Sequence, residues 1–464
     1  MKATELVYKI FKKFLPNPFT IAVILSITTF FIALIFTNKE ADLITKSFLL
    51  FNYWEQGLWN AGLLVFAVQM MLMLVLGHAL ALTKPVNKII KYFSEFCSTT
   101  SRAVAIVSFM TMLVALFNWG LGLIFGAIFS RKVAEHALER KVKINYPMVA
   151  AAGYSGMLVW HGGLSGSSLA KVAEPNHLIN LLQEAGASNT LLNTLPTSIS
   201  YSETVFGTMN MVVSILILIA VPLTLYLVGK KVKSTEITIK HEDVQVSSGL
   251  TKIVGAERLD HSKWLALYFG LVVLGGVIYK FYQIGSSNFL SYFTPNNINF
   301  MLLGLGLVLH SNFSNFLNAI DKAIGGVSGI LIQFPLYFGI LGIMNHSGLV
   351  NNMSDFFVSI SNETTFPIFT FISAGIVNFF VPSGGGQWAI QGPLIVKAAT
   401  ELNIPLSKAI MALAYGDQLT NMLQPFWALP LLGITQLKAK QLLPYTFILL
   451  VVGAVVFSIG LLLF

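Results

Sequence analysis

Of the 20 acidic residues in the chain, only Asp417 falls inside a stretch apolar enough to cross a membrane. A carboxylate at that depth costs about 2.5–3.5 kcal/mol on insertion scales, so it requires a partner or a proton. It sits in the run Gly416-Asp417-Gln418-Leu419-Thr420-Asn421-Met422-Leu423-Gln424-Pro425, where a helix is expected to break before Pro425. Two chemistries fit this run. One is a cation held by Asp417, Asn421, loop carbonyls and a facing loop tip; the other is a carboxylate hydrogen-bonded to a neighbouring helix. All four arginines (Arg102, Arg131, Arg140 and Arg258) lie between apolar runs, so no arginine clamp is available at depth for a carboxylate or phosphate. An anion would instead sit on helix N-termini, whose free N–H groups and positive dipole end favour negative charge. Ser383, Gly384, Gly385, Gly386 and Gln387 open such a helix and suit a small, singly charged anion. His78, His161, His310 and His346 lie in or at the ends of apolar runs, and each reads either as a proton relay or as a hydrogen-bonded interface residue.

Other chemistries leave weaker traces. Gly153-Tyr154-Ser155-Gly156 and Gly163-Leu164-Ser165-Gly166 both spell G-x-S-G, a pattern shared with intramembrane serine proteases. That chemistry needs a histidine base within hydrogen-bond reach of the serine. The chain has no phosphate-binding G-x-x-x-x-G-K-[ST] loop and no His/Cys run with zinc spacing. Its single cysteine, Cys97, argues against an Fe–S site and excludes a disulfide scaffold. No resident cofactor is expected; sodium or a proton would serve only as a coupling ion.

The elements that must position these residues follow from composition. The 464 residues are 55% hydrophobic and 11% charged, with mean hydropathy +0.73. A soluble surface needs about 25% charged residues, so this reads as an all-α polytopic membrane protein. The net charge of +9 does not point to nucleic acid, because the basic residues cluster between apolar runs. Lys2, Lys9, Lys12 and Lys13 precede an apolar run from Phe19 to Phe36, which is longer than a signal h-region and reads as a retained first span. Crossing about 30 Å takes about 20 residues. That length gives nine spans at 18–37, 59–83, 146–170, 204–229, 264–284, 297–311, 323–346, 405–433 and 442–464. Two further apolar stretches, 103–130 and 366–396, are interrupted by Phe117-Asn118-Trp119-Gly120-Leu121-Gly122 and by Asn378-Phe379-Phe380-Val381-Pro382-Ser383-Gly384-Gly385-Gly386-Gln387. Lysine and arginine concentrate on both flanks of the first stretch and are sparse around the second, so both read as re-entrant hairpins entering from opposite sides. This arrangement puts the N-terminus in the cytoplasm.

The surroundings of the two hairpins match. Asn118 is followed by Pro147 and Ala152-Gly153-Tyr154-Ser155-Gly156; Asn378 is followed by Pro405 and Ala414-Tyr415-Gly416-Asp417-Gln418. The halves are 1–229 and 285–464, joined by a cytoplasmic linker at 230–263 and a connecting span at 264–284 that inverts the second. Inverted halves with interrupted helices meeting near the midplane are characteristic of secondary transporters. Gly304-Leu305-Gly306 and Gly325-Gly326 read instead as helix-packing glycines.

Several of these runs resemble the bacterial short-chain fatty acid transporter family (AtoE-type). They are Val381-Pro382-Ser383-Gly384-Gly385-Gly386-Gln387-Trp388-Ala389-Ile390-Gln391-Gly392-Pro393, Gln424-Pro425-Phe426-Trp427-Ala428-Leu429-Pro430, the first hairpin run and Gly77-His78-Ala79-Leu80. The resemblance covers nearly the whole chain. It implies membership of the ion-transporter superfamily, with a scaffold domain, a mobile transport domain holding both hairpins, and an elevator-type homodimer. It also implies short-chain monocarboxylates such as butyrate or acetoacetate as substrates, and with the residues above the expected activity is cation-coupled symport across the bacterial inner membrane. Carried onto this chain, the superfamily's tip positions fall on Asn118, Gly120, Gly122, Ser155 and Gly156, and on Asn378, Ser383, Gly384, Gly385, Asp417 and Asn421. The Ser-Asn-Thr tip motif of sodium-coupled dicarboxylate carriers is missing from both tips, which leaves sodium and proton open as coupling ion. Trp119, Trp160 and Trp388 are candidates to wall the acyl chain, or to anchor the membrane interface. A dicarboxylate or amino-acid carrier is the neighbouring alternative, though a second carboxylate would call for a cationic partner.

Overall fold

The computed structural model describes residues 16–37, 42–184, 188–235, 255–284 and 294–464, and among them every regular element is a helix. Seven helices are long and apolar enough to cross a membrane: Pro18–Phe36, Ala61–Ala81, Thr100–Phe117, Thr208–Gly229, Lys263–Gln283, Phe313–His346 and Ala439–Leu463. Six of these fall on expected spans, and the seventh, Thr100–Phe117, is the first limb of the hairpin expected at 103–130. The expected spans 146–170 and 405–433 are each broken into shorter helices, and Pro295–His310 is 16 residues long. Much of the linker expected at 230–263 lies outside the described residues. The apolar outer surface is what lipid demands: Trp264 is 81% and Ile35 65% exposed.

The interior is built from two hairpins and two broken helices. In the first hairpin, Thr100–Phe117 turns at Asn118 into Trp119–Glu139. Asn118 is extended (φ −150°), ends one helix, and caps the next by accepting the Leu121 N–H at 3.0 Å. Gly122 lets the limbs close, since a Cβ there would lie 2.5 Å from that of Ala115. The second hairpin runs from Phe366–Phe380 through Val381-Pro382-Ser383 into Gly384–Glu401, with Ser383 Oγ accepting the Gly386 N–H at 3.2 Å. Its limbs are stitched by glutamine: Gln387 donates to the Ala374 carbonyl (2.9 Å) and to Gln391, and Gln391 donates to Ser373 (3.2 Å). Polar side chains thus replace water at depth, where unpaired backbone is costly.

Behind the first hairpin, Tyr146–Tyr154 is capped by Asn145 and then loosens into 3-10 turns at Ser155–Leu158 and Trp160–Gly162. Behind the second, Leu406–Thr420 gives way to a 3-10 turn at Asn421–Leu423 before Pro425 starts Pro425–Thr435. Proline, lacking an N–H and fixed in φ, can begin that helix but could not have continued the previous one. The Tyr154 hydroxyl donates to the Asn421 carbonyl at 2.9 Å, so the two breaks meet. Outside this interior, Leu43–Leu58 packs on Ser328–His346 with Gly57 facing Gly342, and Pro295–His310 packs on Ala61–Ala81. In the segment after residue 173, the helix His177–Glu184 buries Leu178 and Leu182, so its amphipathic pattern lays one face against the protein, and Ile199 is buried in the chain beyond.

The first hairpin and the broken helix behind it touch backbone to backbone. A Cβ on Gly126 would lie 1.9 Å from the Gly153 carbonyl, and one on Gly153 would lie 2.1 Å from Ser130 Oγ. Gly153→Ala is therefore expected to destabilise the fold by about 1–3 kcal/mol, as overpacking does. Thermal unfolding of the purified protein in detergent checks this; an unchanged midpoint would mean that the interface yields without cost.

Candidate functional site

The tip of the second hairpin, the 3-10 turn at residues 160–162 and the end of Leu406–Thr420 converge on Asp417, which is fully buried. One oxygen of Asp417, Oδ2, is hydrogen-bonded to His161 Nδ1. His161 Nε2 receives the Ser168 backbone N–H at 3.1 Å and lies 2.8 Å from Ser168 Oγ. A backbone N–H can only donate, so Nε2 accepts and the ring proton resides on Nδ1, directed at the carboxylate. His161 thus meets Asp417 as a neutral N–H donor and brings no counter-charge. Gln418, one residue on, accepts the His161 and Gly162 N–H groups at 3.0 and 3.1 Å, capping the 3-10 turn from across the interface.

Gly384 seats the hairpin tip on this centre. A Cβ there would lie 2.8 Å from the Trp160 ring, 2.9 Å from Asp417 Oδ2 and 3.0 Å from the His161 ring. Asn378 fastens the opposite side of the tip, donating to the Asp417 carbonyl (2.7 Å), Thr420 Oγ1 (3.0 Å) and Asn421 Oδ1 (3.0 Å), while Gln424 donates to the Asn378 carbonyl. Four buried acceptors of this cluster have no hydrogen-bond partner: Asp417 Oδ1, Asn378 Oδ1, Gln387 Oε1 and Gln424 Oε1. One amide donor of the cluster, Asn421 Nδ2, is also unpartnered, so unpaired oxygens outnumber it four to one, and oxygen ligands suit a hard cation. Among the described residues there is no group of three or more His, Cys, Asp or Glu that could hold a metal ion. Gly385 is exposed and Gly386 and Ser383 half-buried, so the outer rim of the tip stays open.

The first cluster is closed instead. Asn118 Oδ1 caps its own helix, the Trp119 N–H donates to Ser165 Oγ at 2.9 Å, and Ser155 Oγ donates to the Ala152 carbonyl at 2.7 Å. Gly120 faces Met73, and Gly156 faces Ala115 and Thr111, so both serve close packing. Neither G-x-S-G serine meets a histidine. Ser168, His161 and Asp417 do follow the bonding order of a hydrolase triad, but the Ser168 hydroxyl is sealed from solvent.

Aromatic rings complete the centre. Trp119, Trp160 and Trp427 form a triangle with centroid separations of 6.0, 5.3 and 6.4 Å, and Trp160 lies parallel to His161 at 4.6 Å. Phe66 adds a fourth ring, 6.3 Å from Trp119 and 6.2 Å from Trp427. Trp388 is placed elsewhere: its indole donates to His177 Nε2 at 3.0 Å and stacks on that ring. Sequence reasoning passed over Trp427, Gln418, Gln424 and Ser168 as site residues and left His161 ambiguous. The first three lie in or beside the polar run that drew attention to Asp417, which was the signal available.

Long apolar helices surrounding hairpins and broken helices that meet at a buried carboxylate define a multi-pass membrane transporter. The chain belongs to the short-chain fatty acid transporter family, whose model, described as Short chain fatty acid transporter, matches residues 1–464. A relative from Escherichia coli (strain K12), named for short-chain fatty acid transport, is 35% identical over 456 residues, 97% of each chain. One from Haemophilus influenzae with the same name is 34% identical over 97% of this chain and 96% of its own. Among solved structures, the YdaH transporter of Alcanivorax borkumensis aligns with TM-score 0.41 and 14% identity over 96% of this chain and 98% of that one. MtrF of Neisseria gonorrhoeae aligns with TM-score 0.42 and 13% identity over 96% and 95%. The family and the sequence relatives are transporters, not enzymes.

The seat of Gly384 carries a prediction. Gly384→Ala places a methyl against three buried groups and lifts the tip, so uptake of a short-chain carboxylate should fall about five- to 150-fold, the equivalent of the 1–3 kcal/mol of overpacking. Initial rates in proteoliposomes, normalised to reconstituted protein, measure it; wild-type rates would show that the tip need not close on Asp417.

Proposed function

We propose that the chain is a cation-coupled symporter of short-chain monocarboxylates such as butyrate or acetoacetate. The observation that carries this reading is the buried carboxylate of Asp417, whose Oδ1 and several neighbouring acceptor oxygens have no hydrogen-bond partner. Among the described residues its one ion-pair neighbour is His161, held in its neutral tautomer by Ser168. Bringing a substrate anion to about 5 Å from that charge costs about 3 kcal/mol at an effective dielectric of ~20, roughly a hundredfold in affinity. A cation bound at Asp417 removes this penalty, so cation and anion bind best together. That thermodynamic linkage is what symport requires.

Sodium is the coupling ion favoured by the acceptor oxygens of Asn378, Asp417 and Gln424. A proton on Asp417 Oδ1 is the second reading, supported by the hydrogen-bonded imidazole on Oδ2. The carboxylate and its short acyl chain would lie between the open rim at Ser383, Gly385 and Gly386 and the rings of Trp119 and Trp160. Hairpins and broken helices would form the mobile domain of an inverted-repeat carrier, and Ala61–Ala81 with Pro295–His310 and Ser328–His346 the scaffold. A homodimer in the bacterial inner membrane, N-terminus in the cytoplasm, is the corresponding assembly. A dicarboxylate substrate fits less well, because no lysine or arginine in the described residues contacts the centre.

The test is butyrate uptake into proteoliposomes under an imposed sodium gradient against a matched proton gradient, with Asp417→Asn alongside. Wild type should accumulate butyrate under one of the two. The amide keeps an acceptor for His161 but loses the charge, so the variant should fold and lose gradient-driven uptake. Uptake by Asp417→Asn at the wild-type rate would remove Asp417 from the mechanism, and wild-type uptake under neither gradient would remove the substrate assignment.

A further inference from the structure

The aromatic triangle contains two donors with nothing to donate to. Trp160 Nε1 and Trp427 Nε1 are both buried and without a hydrogen-bond partner, on rings whose centroids lie 6.4 Å apart and which both touch Trp119. An indole N–H can only donate, so the ring offers no way of satisfying itself. Burying one such group unpaired is costly, and an arriving ligand that accepts the hydrogen is one way to recover that cost. Two orphan donors on neighbouring rings, one of which lies against Gly384 of the hairpin tip, therefore describe a site for a ligand with at least two acceptor atoms. A carboxylate has two oxygens and binds N–H groups more strongly than a neutral acceptor does.

We propose that the substrate carboxylate is recognised by the indole N–H groups of Trp160 and Trp427, in place of a basic side chain. This rests on the monocarboxylate reading above and names the groups that select the acid function. Neutral donors matter here for a reason set by Asp417. An arginine at this position would pair with Asp417 in the empty carrier and make the cation dispensable. Indole donors hold the anion without offering Asp417 a counter-charge, so the cation remains obligatory. The same rings supply apolar faces for the acyl chain, with Phe66 against Trp119 and Trp427, and each methylene buried there is worth about fourfold in affinity. A short unbranched acid matches both halves of such a site; its amide or alcohol matches only one.

Trp160→Phe and Trp427→Phe keep a ring and remove the N–H. Each should raise the KM for butyrate in proteoliposomes about tenfold or more, as expected for a hydrogen bond to a charged group. A second measurement needs no variant to fold. The wild-type protein, labelled with 15N at its 7 tryptophans, should show two indole N–H signals moving downfield on saturation with sodium butyrate. Saturable wild-type uptake with no indole signal shifted, or with both variants within twofold of the wild-type KM, overturns this proposal and leaves the transport reading standing. Absence of butyrate uptake by the wild type overturns both.

Discussion

A carboxylate sealed from water with a neutral imidazole on one oxygen and nothing on the other is the constraint around which this molecule is arranged. Ionised Asp417 is tolerable at depth only if its surroundings supply donors, a counter-ion or a proton. His161 Nδ1 supplies the one donor the described side chains provide. His161 can do so only because Ser168 fixes its other nitrogen as an acceptor, and Ser168 is held there by the short helix Ser167–Val172 that follows the 3-10 turns. The break in the first interrupted helix is thus what allows His161 to face Asp417. A regular helix through residues 155–162 would carry its ring elsewhere.

The same region shows a division of labour between halves that look alike. Asn118 and Asn378 both turn a hairpin, yet their side chains do different things. Asn118 folds back on its own helix, capping Leu121, whereas Asn378 reaches out to Asp417, Thr420 and Asn421. The glycines diverge in parallel. Gly120, Gly122 and Gly156 are filled by Met73 and Ala115, while Gly384 admits a tryptophan, a histidine and a carboxylate to the backbone of the second tip. Similar folds of chain therefore yield one cluster of close packing and one that gathers several unpaired amide and carboxylate oxygens.

Much of this was legible in the sequence, and the reasons are specific. The hairpins stood out because Asn118 and Asn378 interrupt long apolar runs, and polar groups at depth have few uses. Asp417 stood out for the same reason. The helix Leu43–Leu58 was missed because it is 16 residues long and carries Lys46 and Glu55, so it shows neither the length nor the uniform apolarity of a span. Lys84–Glu95 was missed because its apolar side chains occupy one face only, with Lys84, Lys88 and Lys91 along it. The partnership of His161 with Asp417 joins residues 256 positions apart, and nothing local marks which of several histidines the fold will deliver. Trp388 was placed by residue type beside the other tryptophans, but it lies on the second limb of its hairpin, where its indole meets His177 from the segment that follows Ser167–Val172.

Cross-bracing between the halves sets how force travels through the interior. Tyr146 donates to the Thr435 carbonyl at 2.8 Å, Arg131 to the Ile434 carbonyl at 2.9 Å, and Asn145 to the Tyr445 hydroxyl at 3.0 Å. With the Tyr154 bond to Asn421, these ties join each half to the other at both ends of the broken helices. A frame braced in this way resists shear between its two members. Load applied at either rim is carried to the opposite one, and neither half is free to slide past its counterpart without first losing several buried hydrogen bonds at once.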